Sequence, residues 1–571
     1  MFYTYPMNKH NNQKGFAPIQ IVLSILAGTI VLGGIVGGVL YYSKSPQELS
    51  QGKCGDGVCD IKEKANPNLC PRDCVSSTVS SSSSSISSSI SSSRPSSASP
   101  KSSSEKSPFG FHPGNAENYS YIKDLGAKWS REGLYLRWGW VDVNRDGSYK
   151  FTEATTPAKP NVSNSGGKIN YDNEWLNAPK DTKLVLNVCP FGRGGDFKDS
   201  EESAIYQNFV EKTVERYDGD NDLGCVLSSP DCYKNGDRQY PTSEVIQVFK
   251  NNPIKYWQVC NQVYDASEED KTNYASQFAL VQEKTYKGVK AADGSAAVLI
   301  AGDSNKELYP KVFKELNGKY IDIIDFHHFG QLDWYNPKKD FDYIKTSLQS
   351  SGFDISKLRF WITETGTYSG DPVALGGKPD LPYQTEKQQA DGVIKAYVSA
   401  ISYGIEKVFW AWNIVEGFQR SGSIFDYTGL VYDGCDYVNN KYQCGSNIGY
   451  DKGKGVKKLS YYTYKKMVEI LEGSDWDNIE AIQEKDGVYV YKFTKDGKPI
   501  WVAWNDNNGE KQVVISGVNS SSVKITESVP NYGSGKEVKD YATAFKTETR
   551  QVTDNKLTIT LNESPVFVEE M

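Results

Sequence analysis

Chemistry-bearing side chains recur at one kind of place in this chain. Short apolar runs end in His112 (FGFHPG), Arg131 (WSRE), Asn261 and Gln262 (YWQVCNQ), His327 and His328 (DFHHFG), Glu364 (WITETG), and Trp410 and Trp412 (FWAWN). Three of the chain's four histidines lie in this set. A carboxylate beside an arginine is either a buried ion pair or a group that attacks. Burying a charge at a site mouth is costly without a functional return, which favours attack. Polar groups held at one mouth beside paired tryptophans would stack a sugar face and hydrogen-bond its hydroxyls.

A second constellation suggests a metal. The loop DVNRDGSYKFTE offers oxygen ligands at EF-hand spacing: Asp142, Asn144, Asp146, Ser148 and a closing Glu153, with Gly147 for the turn. The flanking helices of an EF-hand are missing, so an isolated structural Ca²⁺ loop is expected, with a solvated turn as its competitor. The acidic run from Asp218 (DGDNDLG) lacks a closing glutamate and reads as a surface turn.

What must hold the first set in place is a series of strands. Each run is short, rich in β-branched or aromatic residues and closed by a polar or glycine cluster, as buried parallel strands are. Stretches of helical period lie between them: Ile205, Phe209, Val210, Val214 and Tyr217, then Ile394, Tyr397, Val398 and Ile401. Eight such strands with crossovers in residues 109–474 predict an α/β fold, a (β/α)8 TIM barrel whose site lies at the C-terminal rim. From 475 to 571 the pattern alternates apolar and polar residues between turn signals, which predicts an antiparallel β-sandwich. It is expected to cover a flank of the barrel rather than to bind polysaccharide.

In that order, WSRE, YWQVCNQ, DFHHFG, WITETG and FWAWN resemble glycoside hydrolase clan A, particularly families 39 and 5. The resemblance covers Phe109 to the C-terminus. It implies a glycan substrate, a retaining mechanism on a β-linkage and no cofactor for catalysis. Glu364 would be the nucleophile, and Asn261 would hold the hydroxyl beside the reacting carbon. Arg131 and one of His327 or His328 would orient the carboxylate, and one of Trp410 or Trp412 would floor the sugar site. Gln262 stands where those enzymes carry the acid/base. An amide cannot protonate a leaving group, and that assistance is typically worth about 10²–10⁴-fold. Three readings stay open: another carboxylate (Asp265, Glu268, Glu269 or Asp325) replaces it, only good leaving groups are cleaved, or the protein grips glycan without cutting. A second departure is Phe329, where family 5 relatives often have a tyrosine.

The remaining segments set the location. Gly15 to Tyr42 carries no charge and is long enough to span a bilayer. Residues 1–15 are expected as a cytoplasmic stub and 16–42 as a transmembrane anchor, with Lys9, His10 and Lys14 on the inner side. Removal of the segment as a leader is the alternative. Cys54, Cys59, Cys70 and Cys74 make residues 43–74 a small cystine segment, and serines make 75–108 a disordered tether. Cys225 with Cys232 and Cys435 with Cys444 look like loop staples. Cys189 and Cys260 end neighbouring strands, as a disulfide or as buried thiols. The catalytic part is thereby placed outside the cell. A net charge of -7 without a basic patch argues against nucleic acid.

Overall fold

The computed structural model describes residues 103–571, apart from 116, 157–166, 191–196, 221–242, 264–270, 330–335, 373–380, 439–440 and 446–452. The apolar runs become β1 (Phe109–Gly114), β2 (Trp129–Glu132), β3 (Lys183–Cys189), β4 (Tyr256–Val259), β5 (Ala297–Leu299), β6 (Ile323–His328), β7 (Arg359–Thr365) and β8 (Lys407–Trp410). All are parallel, in the order β2-β1-β8-β7-β6-β5-β4-β3, and β2 pairs with β3 to close the cylinder. Crossover helices include α1 (Tyr119–Leu125), α2 (Ser200–Tyr217), α3 (Lys271–Ala292), α4 (Leu308–Leu316), α5 (Lys338–Ser350), α6 (Glu386–Ser402) and α7 (Leu459–Leu471). The expected eight-stranded TIM barrel is present.

Alternation along the strands fills the barrel in layers. The lowest is apolar: Trp129, Val185, Tyr256, Leu299, Ile323, Trp361 and Phe409 pack together. Two residues further on, five of these strands carry Arg131, Asn187, Gln258, Asp325 and Thr363, all buried and polar. The next level is the rim. On β7 the register shifts between Ile362 and Glu364, which brings Glu364 opposite His327 of β6. Such an irregularity re-aims a side chain that strict alternation would turn away.

Beyond the barrel follow β9 (Glu480–Lys485), β10 (Val488–Lys495), β11 (Lys498–Asn505), β12 (Lys511–Ser516), β13 (Ser522–Glu527), β14 (Thr547–Gln551), β15 (Lys556–Leu561) and β16 (Val566–Glu570). Six form an antiparallel sheet in the order β9-β10-β11-β16-β13-β14, and β12 pairs with β15 as a separate ribbon. One face of the sheet buries Val488, Val490, Trp501 and Ala503 against Val513, Ile515, Leu557 and Ile559 of the ribbon. From the other face, Tyr491, Phe493, Ile500, Val502 and Trp504 join the same apolar cluster as the barrel. These sheets therefore brace one side of the cylinder.

Ser103–Pro108, expected as the end of the serine tether, is folded here. A short helix (Ser103–Lys106) precedes β1. Tyr256 Oη donates to Glu105 (2.7 Å), Ser107 Oγ to Glu472 (2.6 Å) and the Val408 amide to the Pro108 carbonyl (2.9 Å). Tyr256 and Val408 lie at the starts of β4 and β8, and Glu472 just past the end of α7, so the segment is tied down at the barrel's N-terminal end. The anchor, the cystine segment and the rest of the tether lie outside the described residues. Among the described residues no helix is long and apolar enough to cross a membrane.

Candidate active site

The strand ends bring most of the sequence-predicted residues to one place. Arg131, fully buried on β2, is the hub. Its Nη1 donates to Glu364 Oε1 (2.7 Å), its Nε to Gln258 Oε1 (2.7 Å) and its Nη2 to Asn261 Oδ1 (2.5 Å). A planar guanidinium with donors in a fixed fork suits this three-way task, which an ammonium could not copy. Below it, Gln258 Nε2 and Thr363 Oγ1 both donate to Asp325, completing a buried chain of bonds.

Glu364 is also fully enclosed. Burial pushes its carboxyl up to about 8, only partly countered by Arg131. Its second oxygen, Oε2, accepts no hydrogen bond. His327 Nδ1 lies 3.0 Å from Oε2 but out of line for one, and is also 3.3 Å from Gln262 Nε2. Burial, then Arg131 and Lys306, holds His327 well below the usual imidazole range. Burial does the same for His112, whose Nδ1 bonds the Arg131 carbonyl (3.1 Å) and whose Nε2 is 3.6 Å from Glu364 Oε1. Since a carbonyl only accepts, Nδ1 carries the His112 proton and a neutral lone pair faces the carboxyl. Arg131 is thus the full positive charge on Glu364.

Among the described residues Glu364 Oε2 and Trp412 Nε1 are buried without a hydrogen-bond partner, and so is His327 Nε2, which faces Gly302. Trp412 is half-buried, with His112 edge-on at 5.0 Å, Phe425 at 5.7 Å and Phe418 tilted against it at 4.9 Å. Phe329 adds a ring edge-on to Phe425 (5.7 Å).

Two predicted members sit apart. His328 turns away from His327, as neighbours on a strand do, and bonds Asp340 of α5 (2.8 Å). Trp410 is enclosed in the core, its indole N–H spent on the Thr428 carbonyl (2.9 Å). Asp325, one of the carboxylates considered as a replacement acid, is sealed beneath Gln258 and Thr363. Asp265, Glu268 and Glu269 lie outside the described residues. Tyr135 was not anticipated: its hydroxyl is 3.5 Å from Arg131 Nη2, and its ring faces the guanidiniums of Arg131 and Arg137. No strand-end signal marks it, because it stands on the loop after β2.

The expected calcium loop does not assemble. Asp142 accepts the Asp146 amide (3.1 Å), the Gly147 amide (3.0 Å) and the Trp138 indole (3.1 Å), closing a turn on itself. Glu153 pairs instead with Lys168 (3.0 Å). Among the described residues the carboxylates that do converge are Glu215, Asp218 and Asp220, and those of Asp142, Asp146 and Glu153 do not. Both cysteine pairs within reach are disulfides, Cys189–Cys260 and Cys435–Cys444.

No family model matches this sequence, and no curated protein matches it. Solved structures do. The thermostable family 51 α-L-arabinofuranosidase from Thermotoga petrophila RKU-1 superposes with a TM-score of 0.50 at 12% identity, covering 82% of this chain and 92% of that one. A family 39 glycoside hydrolase from Bacteroides cellulosilyticus WH2 gives 0.49 at 12%, covering 81% and 80%. A family 30 endoxylanase from Clostridium papyrosolvens C71 gives 0.40 at 11%, covering 81% and 94%. At these identities the likeness is one of fold alone: a closed parallel barrel with added antiparallel sheets.

Proposed function

We propose that this protein is a retaining glycoside hydrolase for a β-linked glycan, with Glu364 as nucleophile and Gln262 in place of the proton donor. The observation that carries the reading is the division of labour on Glu364. Oε1 is pinned by Arg131, while Oε2 is left without a donor beside the one nitrogen that also meets Gln262. Oε2 attacks the anomeric carbon, forming a glycosyl ester as the bond to the leaving oxygen breaks. That oxygen departs with the bonding pair as an anion, steadied by a hydrogen bond from the Gln262 amide. Water then opens the ester and regenerates the carboxylate. Without a proton donor the first step is confined to leaving groups that are stable as anions.

A second reading is favoured by a specific pair of facts. Gln262 has no proton to give, and Glu364 near 8 is mostly protonated at neutral pH. On that account the pocket holds glycan without cutting it. The test is a 2-deoxy-2-fluoro β-glycoside with a 2,4-dinitrophenyl leaving group, followed by mass spectrometry of the peptide around Glu364. A covalent sugar on Glu364, lost in Glu364→Gln, supports the hydrolase. Glycan binding with neither label nor turnover supports the binder.

The same proposal places the pocket outside the cell, held by the apolar segment 16–42. Support comes from the disulfides Cys189–Cys260 and Cys435–Cys444, which suit an oxidising compartment.

A further inference from the structure

The loop after β8 carries an apolar ring that the chemistry at Glu364 does not use. Phe418 is 40% exposed, although its ring overlaps Trp412 at 4.9 Å and 30°. An exposed phenylalanine on a slack loop would mean little. This loop is tightly built. The fully buried carboxylate of Asp426 accepts the backbone amides of Gln419 (2.5 Å), Arg420 (2.7 Å), Ser421 (2.8 Å) and Ser423 (3.2 Å). The Gly417 amide donates to the Asp426 carbonyl (2.9 Å). Behind it stands a hairpin closed by the Cys435–Cys444 disulfide, whose Tyr442 bonds Asp433 (2.6 Å). A Cβ on Gly417 would meet both Asp433 and Tyr442 at 2.3–2.5 Å, so the hairpin and the loop are fitted to each other.

The second observation is on Trp412. Its indole N–H is buried and has no acceptor among the described residues, while the residue as a whole is only half-buried. An amphipathic ring with an unspent donor thus lies against an exposed apolar ring, and one side chain, His112, links it to Glu364: His112 is edge-on to Trp412 at 5.0 Å and 3.6 Å from Glu364 Oε1. Carbohydrates present alternating C–H faces and hydroxyls, and such a surface suits two consecutive rings.

We infer that Phe418 forms a second sugar subsite next to the Glu364 pocket, so that the protein takes glycan chains of two or more units rather than single sugars. This rests on the reading of the Glu364 pocket as a glycan site. The Asp426 turn and the disulfide-closed hairpin hold the ring in place before ligand arrives, which lowers the ordering cost of binding.

The test is calorimetry on the full chain carrying Glu364→Gln, so that nothing is turned over. The probes are β-1,4-linked cello-, xylo- and manno-oligosaccharides of one to four units. In the parent, affinity should step up from one unit to two. Adding Phe418→Ala should remove about tenfold of affinity for the longer probes, the equivalent of one good ring contact, and leave the single sugars unchanged. Phe418→Tyr should restore the step. Equal losses on all lengths, or no loss on any, overturn the subsite while the pocket reading stands. Tighter binding of single sugars by Phe418→Ala also overturns it, since the ring would then be a cover over Trp412. Failure of every probe to bind the parent removes the glycan reading and this inference together.

Discussion

Gln262 and Glu364 meet at one atom. His327 Nδ1 lies 3.3 Å from the amide nitrogen of the first and 3.0 Å from a carboxylate oxygen of the second. The two side chains, from β7 and from the turn after β4, are therefore no more than two hydrogen-bond lengths apart. A retaining pair of carboxyls needs a gap of about 5 Å. That upper bound admits the gap, but Gln262 has no proton to give. Gln262 and Cys260 both hold positive φ (45° and 56°), a backbone form uncommon outside glycine. The turn is built to place this amide.

Gln262→Glu should therefore restore a donor without moving anything else. On alkyl or sugar leaving groups the variant should gain about 10²-fold or more in kcat/KM, and little on dinitrophenyl glycosides, which leave unaided. A series of aryl glycosides reads this as a leaving-group slope that is steep in the parent and shallow in the variant. Equal slopes would detach Gln262 from the leaving oxygen.

Arg131 bears on both fold and site. Replacing it by methionine keeps length but strands Glu364, Gln258 and Asn261 without their shared donor. Removing one partner of a buried ion pair typically costs about 3–5 kcal/mol. Urea unfolding above pH 8, where Glu364 is ionised, should show a loss of that order, along with a Glu364 carboxyl raised further. A loss under about 1 kcal/mol, the range of an exposed pair, would mean that water reaches Glu364.

Much of this was legible in the residues. All eight apolar runs became strands of the barrel, because buried parallel strands leave little choice of composition. Glu364, Asn261, Gln262, His112 and His327 came together because all are rim residues of one closed sheet, with Arg131 just beneath them. The polar layer below them was also readable: Trp129 and Arg131, Tyr256 and Gln258, Ile323 and Asp325, Trp361 and Thr363 repeat at a period of two. Three things were not. The register shift on β7 turns Glu364 inward against that period. His327 and His328 cannot be told apart without knowing which face is inside. Asp142 satisfies EF-hand spacing, yet spends its oxygens on its own loop, since spacing alone does not distinguish a ligand from a turn acceptor.

The Cys189–Cys260 bond ties the end of β3 to the residue just before Asn261 and Gln262. It closes 71 residues of chain, worth about 4 kcal/mol in the loop-closure account. The paired Cys189→Ser, Cys260→Ser variant should lose that order of stability by urea unfolding. It should also lose labelling of Glu364 by the fluoro-sugar at temperatures where circular dichroism shows it fully folded, because the 261–262 turn loses its tether. Undiminished labelling would reduce the disulfide to a staple.

The pH response follows from Glu364. On the proposed mechanism its ionised form attacks, and burial holds the carboxyl near 8. Labelling by the fluoro-sugar should rise with pH through about 8 and then level off. No falling limb is expected, since Gln262 does not titrate and His112 and His327 are already neutral. Stability should run the other way. With a folded value above the ordinary 4.5, the folded state binds more protons than the unfolded chain between 4.5 and about 8. Stability from this group is complete below 4.5 and is lost as pH rises through 8. Asp325 and Glu132, both lifted to about 7 by burial, push in the same direction. Glu364→Gln should flatten the fall in urea midpoint between pH 5 and 8 and leave the slope above pH 9 unchanged. A bell-shaped labelling profile would instead reveal a second carboxyl working in the place of Gln262.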